Sequence, residues 1–487
     1  MEVMKAQNKP NIIIVMTDQE NIDTLSCYGG QLRTPNIDKL ATNGVRFAKN
    51  YVTCPLCVPS RASIWTSLYP HQLGLLNPES NSNGVVHVND DGRDISLPTE
   101  AQTLSDLANE NGYRTAYFGK WHLGNENTKQ HGFQTFKTEL RGSYEQKLSE
   151  TNKISFNEGT DRLEQQGLEP FELQEDTVMT DLAINFLEDS SKDLEKPFFL
   201  VLSMRFPHDP YSGPFDDFVN PEYIKLPVSV KDTLINKPMS QRRGAARELF
   251  SKEIGKEISD RETKKLREIY ARYLGLMHLV DLNVGRLLEK LNSLSIEKNT
   301  VIVFTSDHGD MMGAHGMFFK GLFMYEEVTR VPLIISWPGH LPKGKVVNTL
   351  TSMIDLTPTL LDIMEIEKPN HMVGESMRQL WDYSHNIRNT IFIELFESYG
   401  EWGPIFCIRT EKFKYNWYAG DDDELYDIES DPNELNNIAM KPENRDLVIG
   451  LREQLARWLR QTGDVNISNL IRTYPGRKPT WVSLGGK

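Results

Sequence analysis

The chain has 487 residues, with 54 Lys plus Arg against 68 Asp plus Glu, and so a formal net charge of −14. That balance excludes a nucleic-acid binder reading a phosphate backbone through a basic face, and it obliges any anionic substrate to meet a locally basic pocket. At 39% hydrophobic residues and four cysteines, the chain can bury a large core and is no disulfide scaffold.

Residues 1–11 are polar with mixed charge, and the first apolar run, 12–16, is broken at Asp18. No signal-peptide core and no membrane span is legible. A cytoplasmic location is therefore expected for the chain as numbered, or a periplasmic or secreted one where a leader has been removed. Residues 11–17 (N-I-I-I-V-M-T) predict a strand buried on both faces. Residues 34–44 predict a helix with Thr34 at the cap, Pro35 in its first turn and Gly44 beyond its end. A helix over 103–111 and a strand over 113–118 come next. A second buried strand is expected at 197–204 (P-F-F-L-V-L-S-M). Residues 205–260 carry Pro and charge without periodicity, which reads as a lid or a substrate-binding insertion. Leu266, Tyr270, Tyr273, Met277, Val280, Val284, Leu287 and Leu291 recur at three and four, the stripe of one long amphipathic helix packed on the core. Strands are expected at 300–306 and 331–337. This alternation predicts α/β architecture with a mostly parallel sheet. Beyond about residue 375, short runs at 391–395, 406–409, 413–418 and 424–427 predict a small antiparallel sheet. A helix over 444–460, capped by Asn444, lies beyond it.

The polar residues fall where such a sheet binds ligands, outside the carboxyl ends of its strands. Asp18 follows the first strand, Lys120 and His122 the 113–118 run, His208 the 197–204 run, and Asp307 and His308 the 300–306 run. One polar residue after a strand is ordinarily a turn. Four runs delivering two carboxylates, a lysine and three histidines to one edge point to a site.

The sharpest motif is Cys57-Val58-Pro59-Ser60-Arg61. Cys54 makes it a C-x-x-C, but no second Cys/His pair lies near enough for zinc, and a thioredoxin-like pair belongs to a much smaller βαβ unit. Cys57-Val-Pro-Ser-Arg61 resembles the core signature of the type I sulfatases, whose cysteine is oxidised to formylglycine. The segments N-I-I-I-V-M-T-D, T-P-N-I-D-K-L-A-T-N-G-V-R-F, G-Y-R-T-A-Y-F-G-K-W-H-L-G, F-P-H-D-P, T-S-D-H-G-D and G-M-F-F-K with E-E-V-T-R-V-P-L-I resemble that family in the same order. They span roughly residues 10–365, and E-L-Y-D-I-E-S-D-P-N-E-L-N-N-I-A near the C-terminus is similar too.

The resemblance implies an alkaline-phosphatase-like α/β/α sandwich around a large, mostly parallel sheet. A catalytic domain over 1–375, with 205–260 as its insertion, precedes a C-terminal subdomain over 376–487. It implies hydrolysis of a sulfate ester, of a carbohydrate or small molecule, through a covalent sulfo-enzyme on hydrated formylglycine at Cys57. A plain cysteine or serine has no second hydroxyl to expel the sulfate. A helix over 59–68 would place Cys57 at a helix N-terminus, where N–H groups favour anions, with Arg61 one turn on. Asp18, Asp307 and His308, with the Cys57-derived oxygen, are the implied ligands of one divalent metal. Gln19 could add at most a neutral amide oxygen to that set. Lys120, His122 and Lys320 are the implied sulfate contacts, and His208 the general acid to the leaving oxygen. A formylglycine-generating enzyme is the implied maturation partner; no nucleic acid or membrane partner is expected.

The chain departs from the common pattern in places. Gln19 and His308 stand where many members have Asp and Asn. Oxygen ligands suit calcium, the favoured ion, whereas imidazole suits manganese or zinc. Trp65-Thr66-Ser67 stands where many have Leu-Thr-Gly, which raises a second reading, a sulfated-ligand binder with Cys57 unconverted. Formylglycine phosphonate monoester and phosphodiester hydrolases, some of which share the Asp-Gln and Asp-His pattern, are the chemical alternative. Lys237, Arg242, Arg243 and Arg247 in the insertion read either as a solvated helix face or as a basic rim for a charged glycan. His71, His131, His278 and His315 are expected to be structural, with His315 the first exception because it lies near Lys320.

Overall fold

The computed structural model describes residues 9–75, 96–124, 131–138, 170–193, 195–243, 257–382, 388–396 and 404–473. An eight-stranded sheet crosses the molecule. Its strands are β1 (Asn11–Asp18), β2 (Gly44–Tyr51), β3 (Arg114–Gly119), β4 (Thr135–Lys137), β5 (Phe198–Pro207), β6 (Thr300–Ser306), β7 (Leu333–Ser336) and β8 (Lys345–Ser352). Their spatial order is β4-β3-β5-β1-β6-β7-β2-β8. Neighbours run parallel except at β7, which is antiparallel to both β6 and β2.

The centre of the sheet follows from its sequence. All eight residues of β1 are buried, and period-two alternation sends them to opposite faces. Ile13 and Val15 pack on the side of the helices Pro35–Thr42, Glu175–Ser190 and Asp260–Ser293. Ile12, Ile14 and Met16 pack on the side of Cys57–Thr66, Leu104–Glu110 and Leu356–Ile363. Each such aliphatic side chain contributes roughly 1.5–3 kcal/mol on full burial, so two covered faces make this strand a rigid base for the residues beyond its end. The long helix runs through Asp260–Ser293. Ser259 caps it by accepting from the N–H of Glu262, and the Glu262 carboxylate accepts from the N–H of Ser259.

A second sheet is antiparallel, its four strands lying in the reverse of their chain order. It comprises β9 (Thr390–Leu395), β10 (Ile405–Thr410), β11 (Phe413–Tyr418) and β12 (Glu424–Asp427). Leu451, Leu455 and Leu459 of the helix Arg445–Thr462 cover its Phe406, Ile408, Tyr415 and Trp417. No helix among the described residues is long and apolar enough to cross a membrane.

Two expected caps work differently. Thr34 precedes its helix but turns its hydroxyl to Asp38, 3.2 Å away. The free N–H groups of Asn36 and Ile37 are taken instead by Asp281 of the long helix, at 3.1 and 2.9 Å. Asn444 stands at the cap position without a capping bond, its amide donating to Ile438 O at 2.9 Å. The described part of the insertion after β5 contains the short turns Pro221–Tyr223 and Val228–Lys231 and the helix Met239–Arg243. Neither reading of its basic residues holds for Lys237, which is 1% exposed. Its ammonium donates to Tyr426 OH at 2.7 Å and to Glu434 O, and it lies over the Tyr426 ring. These aromatic and carbonyl partners draw it into the junction with the second sheet. Arg242 is half-buried, with Nε donating to Lys237 O at 2.8 Å. Arg247 lies outside the described residues.

Candidate active site

The carboxyl ends of β1, β3, β5 and β6 and the N-terminus of the helix Cys57–Thr66 meet at one edge of the large sheet. β1 ends on Asp18, and Gln19 then turns the chain at φ 63°. β3 ends on Gly119 at φ 106°, and a Cβ there would lie 1.9 Å from Ser203 O. Only glycine lets the chain turn against β5 at this point and deliver Lys120 to the edge. β5 runs through Pro207 to His208, and β6 runs into Asp307 and His308. The helix begins at Cys57, two residues before the expected start, so the cysteine is its first residue. Ser67 closes it at φ 55°, the conformation that favours the glycine of the common pattern. The serine is held there by its hydroxyl, which donates to Ile354 O at 2.8 Å and accepts from Gly374 N at 3.0 Å.

Cys57 is 5% exposed and is ringed by cations. Its Sγ lies 3.1 Å from His308 Nε2, 3.2 Å from Lys320 Nζ, 3.8 Å from Asp18 Oδ1 and 3.9 Å from Lys120 Nζ. Burial opposes ionisation of the thiol, but Lys120, Lys320 and His308, with a hydrogen bond from His122, hold its pKa well below the usual thiol value.

Behind it, Arg61 is fully buried and its guanidinium is engaged on every side. Nε lies 2.7 Å from Asp307 Oδ2, Nη2 lies 3.3 Å from Asp18 Oδ2, and Nη1 donates to Lys120 O and Ser203 Oγ at 2.7 and 2.8 Å. Lys120 pairs with Asp18. Burial and Cys57 push the Asp18 carboxyl up, but Lys120, His208 and Arg61 outweigh them and leave it well below the usual carboxylate range. Ser60 donates to Asp307 O at 2.5 Å, tying the helix to the end of β6.

One oxygen, nitrogen or sulfur from each of Asp18, Cys57, Asp307 and His308 comes within 4.8 Å of the others. His308 Nδ1 donates to Gly309 O at 2.9 Å, which fixes the ring and leaves Nε2 as the nitrogen turned to the cluster, the atom by which such a histidine would bind a metal. Two carboxylates, an imidazole nitrogen and the Cys57 position fit one divalent cation.

Three side chains form the more open side of this centre. Lys320 reaches Gln19 Oε1 at 2.6 Å and His208 Nε2 at 3.1 Å as well as Cys57. His208 Nδ1 faces Asp209 O at 2.9 Å. His122, at φ 55°, borders the thiol from the β3 side. The structure thus brings Asp18, Gln19, Cys57, Arg61, Lys120, His122, His208, Asp307, His308 and Lys320 together. Gln19 turns its amide oxygen to Lys320.

The four histidines expected to be structural stand apart. His71 Nδ1 lies 2.7 Å from Glu394 Oε2, His131 packs beside Trp121, and His278 stacks on Phe218 at 3.8 Å. His315, named for its closeness to Lys320, is buried, 2.7 Å from Asp232 and stacked on Tyr325. Sequence reasoning missed Asp310, Tyr211, Ser60 and Ser203. Asp310 closes the T-S-D-H-G-D segment and Ser60 lies inside the cysteine motif, so both carry a signal in the sequence. Nothing local marks Tyr211 or Ser203.

The family model described as Sulfatase matches residues 10–366, and that described as N-sulphoglucosamine sulphohydrolase, C-terminal, matches 313–461. An N-acetylglucosamine-6-O-sulfatase of Bacteroides thetaiotaomicron is 30% identical over 89% of this chain and 83% of its own. An arylsulfatase of Clostridium perfringens is 31% identical over 96% and 98%. A solved structure of a protein in complex with its substrate D-glucosamine-2-N,6-O-disulfate is 28% identical, covers 94% of this chain and 99% of its own, and has a TM-score of 0.73. The phosphonate monoester hydrolase of Agrobacterium radiobacter, at 24% identity over 93% and 96% with a TM-score of 0.76, shares the fold.

Proposed function

The chain belongs to the sulfatase family and is a sulfuric ester hydrolase, and on that footing we propose that it releases sulfate from a sulfated carbohydrate at a nucleophile derived from Cys57. The observation that carries the reading is the convergence of the Lys320 and Lys120 ammoniums, at 3.2 and 3.9 Å, on one buried sulfur, with Arg61 behind it. In a chain of net charge −14, this is the local positive field that a sulfate ester needs. The likeness to an N-acetylglucosamine-6-O-sulfatase and to a complex with a disulfated glucosamine supports a carbohydrate substrate.

In this reading the formylglycine oxygens would stand where Cys57 Sγ does. Converted by a formylglycine-generating enzyme and hydrated, that residue supplies an oxygen nucleophile with a second hydroxyl, which a thiol lacks. A divalent cation held by Asp18, Asp307, His308 and the Cys57 position supplies charge against the nucleophile and the sulfate oxygens. The two carboxylates suit calcium, our favoured ion, and the imidazole suits manganese or zinc. Arg61 holds Asp18 and Asp307 in register. Lys120, His122 and Lys320 take the sulfate oxygens. His208 turns Nε2 to Lys320; as the imidazolium it would give the Nε2 proton to the leaving oxygen as the sulfur–oxygen bond breaks.

Hydrolysis of a phosphonate monoester or phosphodiester is the second reading, favoured by Gln19 and His308 at the two variant positions. Both substrate types carry one negative charge, so the cations alone do not separate them. Rates on nitrophenyl sulfate, a panel of sulfated saccharides and a phenyl phosphonate ester test the proposal. Sulfate release from a saccharide, faster than phosphonate cleavage, is expected. Phosphonate cleavage without sulfate release would overturn it.

A further inference from the structure

Asp310 is fully buried and takes no part in the cluster around Cys57, yet four donors converge on it. Its Oδ1 accepts from the backbone N–H of Met312 at 2.8 Å and of Phe319 at 3.1 Å. Its Oδ2 accepts from Gln19 Nε2 at 2.6 Å and from Tyr211 OH. Tyr211 lies three residues beyond His208, and Phe319 directly precedes Lys320.

We propose that Asp310 is a positioning residue that sets which way the Gln19 amide faces and thereby where the Lys320 ammonium stands. Gln19 has no freedom in its backbone, for its N–H donates to Asp307 Oδ1 at 3.1 Å and its carbonyl accepts from Tyr273 OH at 2.6 Å. The remaining choice is the amide flip. A carboxylate oxygen and a phenol crowd one end, with Tyr211 OH 3.2 Å from Nε2. An acceptor that cannot donate must face the amide NH2, so Oε1 is turned outward. There it accepts from Lys320 Nζ at 2.6 Å, which holds the ammonium between Cys57 Sγ and His208 Nε2. The reverse flip would set an NH2 group against an ammonium. Phe319 N–H, bound to the other Asp310 oxygen, fixes the backbone from which Lys320 springs. One carboxylate thus orients the lysine through its main chain and through its partner.

The inference rests on the reading of Lys320 as a sulfate contact, and a polarity exchange tests it. In Asp310→Asn the two backbone N–H groups keep the oxygen, so the new NH2 faces the Gln19 NH2 and the match is lost. In Gln19→Glu two carboxylates face each other. In the double variant the carboxylate introduced at position 19 accepts from the amide introduced at position 310 and still offers an oxygen to Lys320, at unchanged net charge. Each single variant is expected to lose about 10–100-fold in kcat/KM, the effect of one misplaced hydrogen bond to a charged group. Affinity for inorganic sulfate, read by calorimetry on the purified protein, should fall in parallel. The double variant should recover at least about ten-fold over Gln19→Glu in both readouts. Should Asp310→Asn not fold alone, the comparison of Gln19→Glu with the double variant still decides. Recovery supports the proposal and its absence overturns it. If the wild-type protein cleaves no sulfate ester while the sulfate affinities follow this pattern, the functional reading fails and the positioning role stands.

Discussion

Arg61 lays its Nε 2.7 Å from Asp307 Oδ2, with both side chains wholly buried. Burial works against the guanidinium charge, but Asp307 and Asp18 raise its pKa above the usual arginine value. The pair is therefore a fixed strut between the helix that opens on Cys57 and the end of β6. Removing one member of such a pair strands the other charge and costs about 3–5 kcal/mol.

Arg61→Ala should accordingly lower stability by about that amount and abolish activity. Arg61→Lys should do nearly as badly. A lysine has no planar fork to reach Asp307, Asp18, Lys120 O and Ser203 Oγ at once. Denaturant unfolding of both variants checks this, and near-wild-type stability in Arg61→Lys would contradict it.

Asp18→Ala and Asp307→Ala should each lose the divalent metal and activity. Each carboxylate is the negative charge that lets a cation enter a pocket holding Arg61, Lys120 and Lys320. Elemental analysis of the purified variants is the measurement. Full occupancy in both would mean that the metal lies elsewhere.

Loss of His208 should be felt according to the leaving group. A sugar alkoxide needs a proton as it departs, whereas a nitrophenolate hardly does. His208→Ala should lose roughly 10²–10⁴-fold on a sugar sulfate and clearly less on nitrophenyl sulfate. Lys320→Ala should hurt both by similar factors. Equal losses for His208→Ala would make that residue a sulfate contact rather than an acid.

Asp176 gives a pH signature in stability. It accepts from the N–H groups of Arg205 at 2.7 Å and Phe206 at 2.9 Å, just ahead of His208. Burial outweighs those bonds and pushes its pKa from 3.8 up to about 7. The folded state then holds this proton more tightly than the unfolded state. The contribution of Asp176 to stability therefore falls as pH rises through that window, by up to about 1.4 kcal/mol per unit, and levels off above it. The stability of Asp176→Asn relative to wild type should rise between those pH values and then flatten. Urea unfolding at a series of pH values shows it, and a constant difference would contradict it.

The central strands were legible because burial on both faces writes an unbroken apolar run, as in residues 12–16 and 301–304. The cluster around Cys57 was legible because each member follows such a run or lies in a motif. β2 and β8 were not. Arg46, Lys49 and Asn50 in β2 and Asn348, Thr349 and Thr351 in β8 are polar residues that interrupt any apolar run along the chain. Lys237 misled because a lysine is read as solvated charge, while its partners Tyr426 and Glu434 come from about 190 residues on. The Gln19–Asp310 bond is invisible for the same reason. It joins the ends of two strands that are distant in sequence and adjacent in the sheet.

Peptide mass spectrometry of the Cys57 segment, made on the same preparation whose sulfate release from a sulfated saccharide is assayed, bears most directly on the nucleophile. The aldehyde is expected at Cys57, with turnover in proportion to the converted fraction and none in Cys57→Ala. Turnover by protein whose Cys57 is wholly thiol would contradict a formylglycine mechanism.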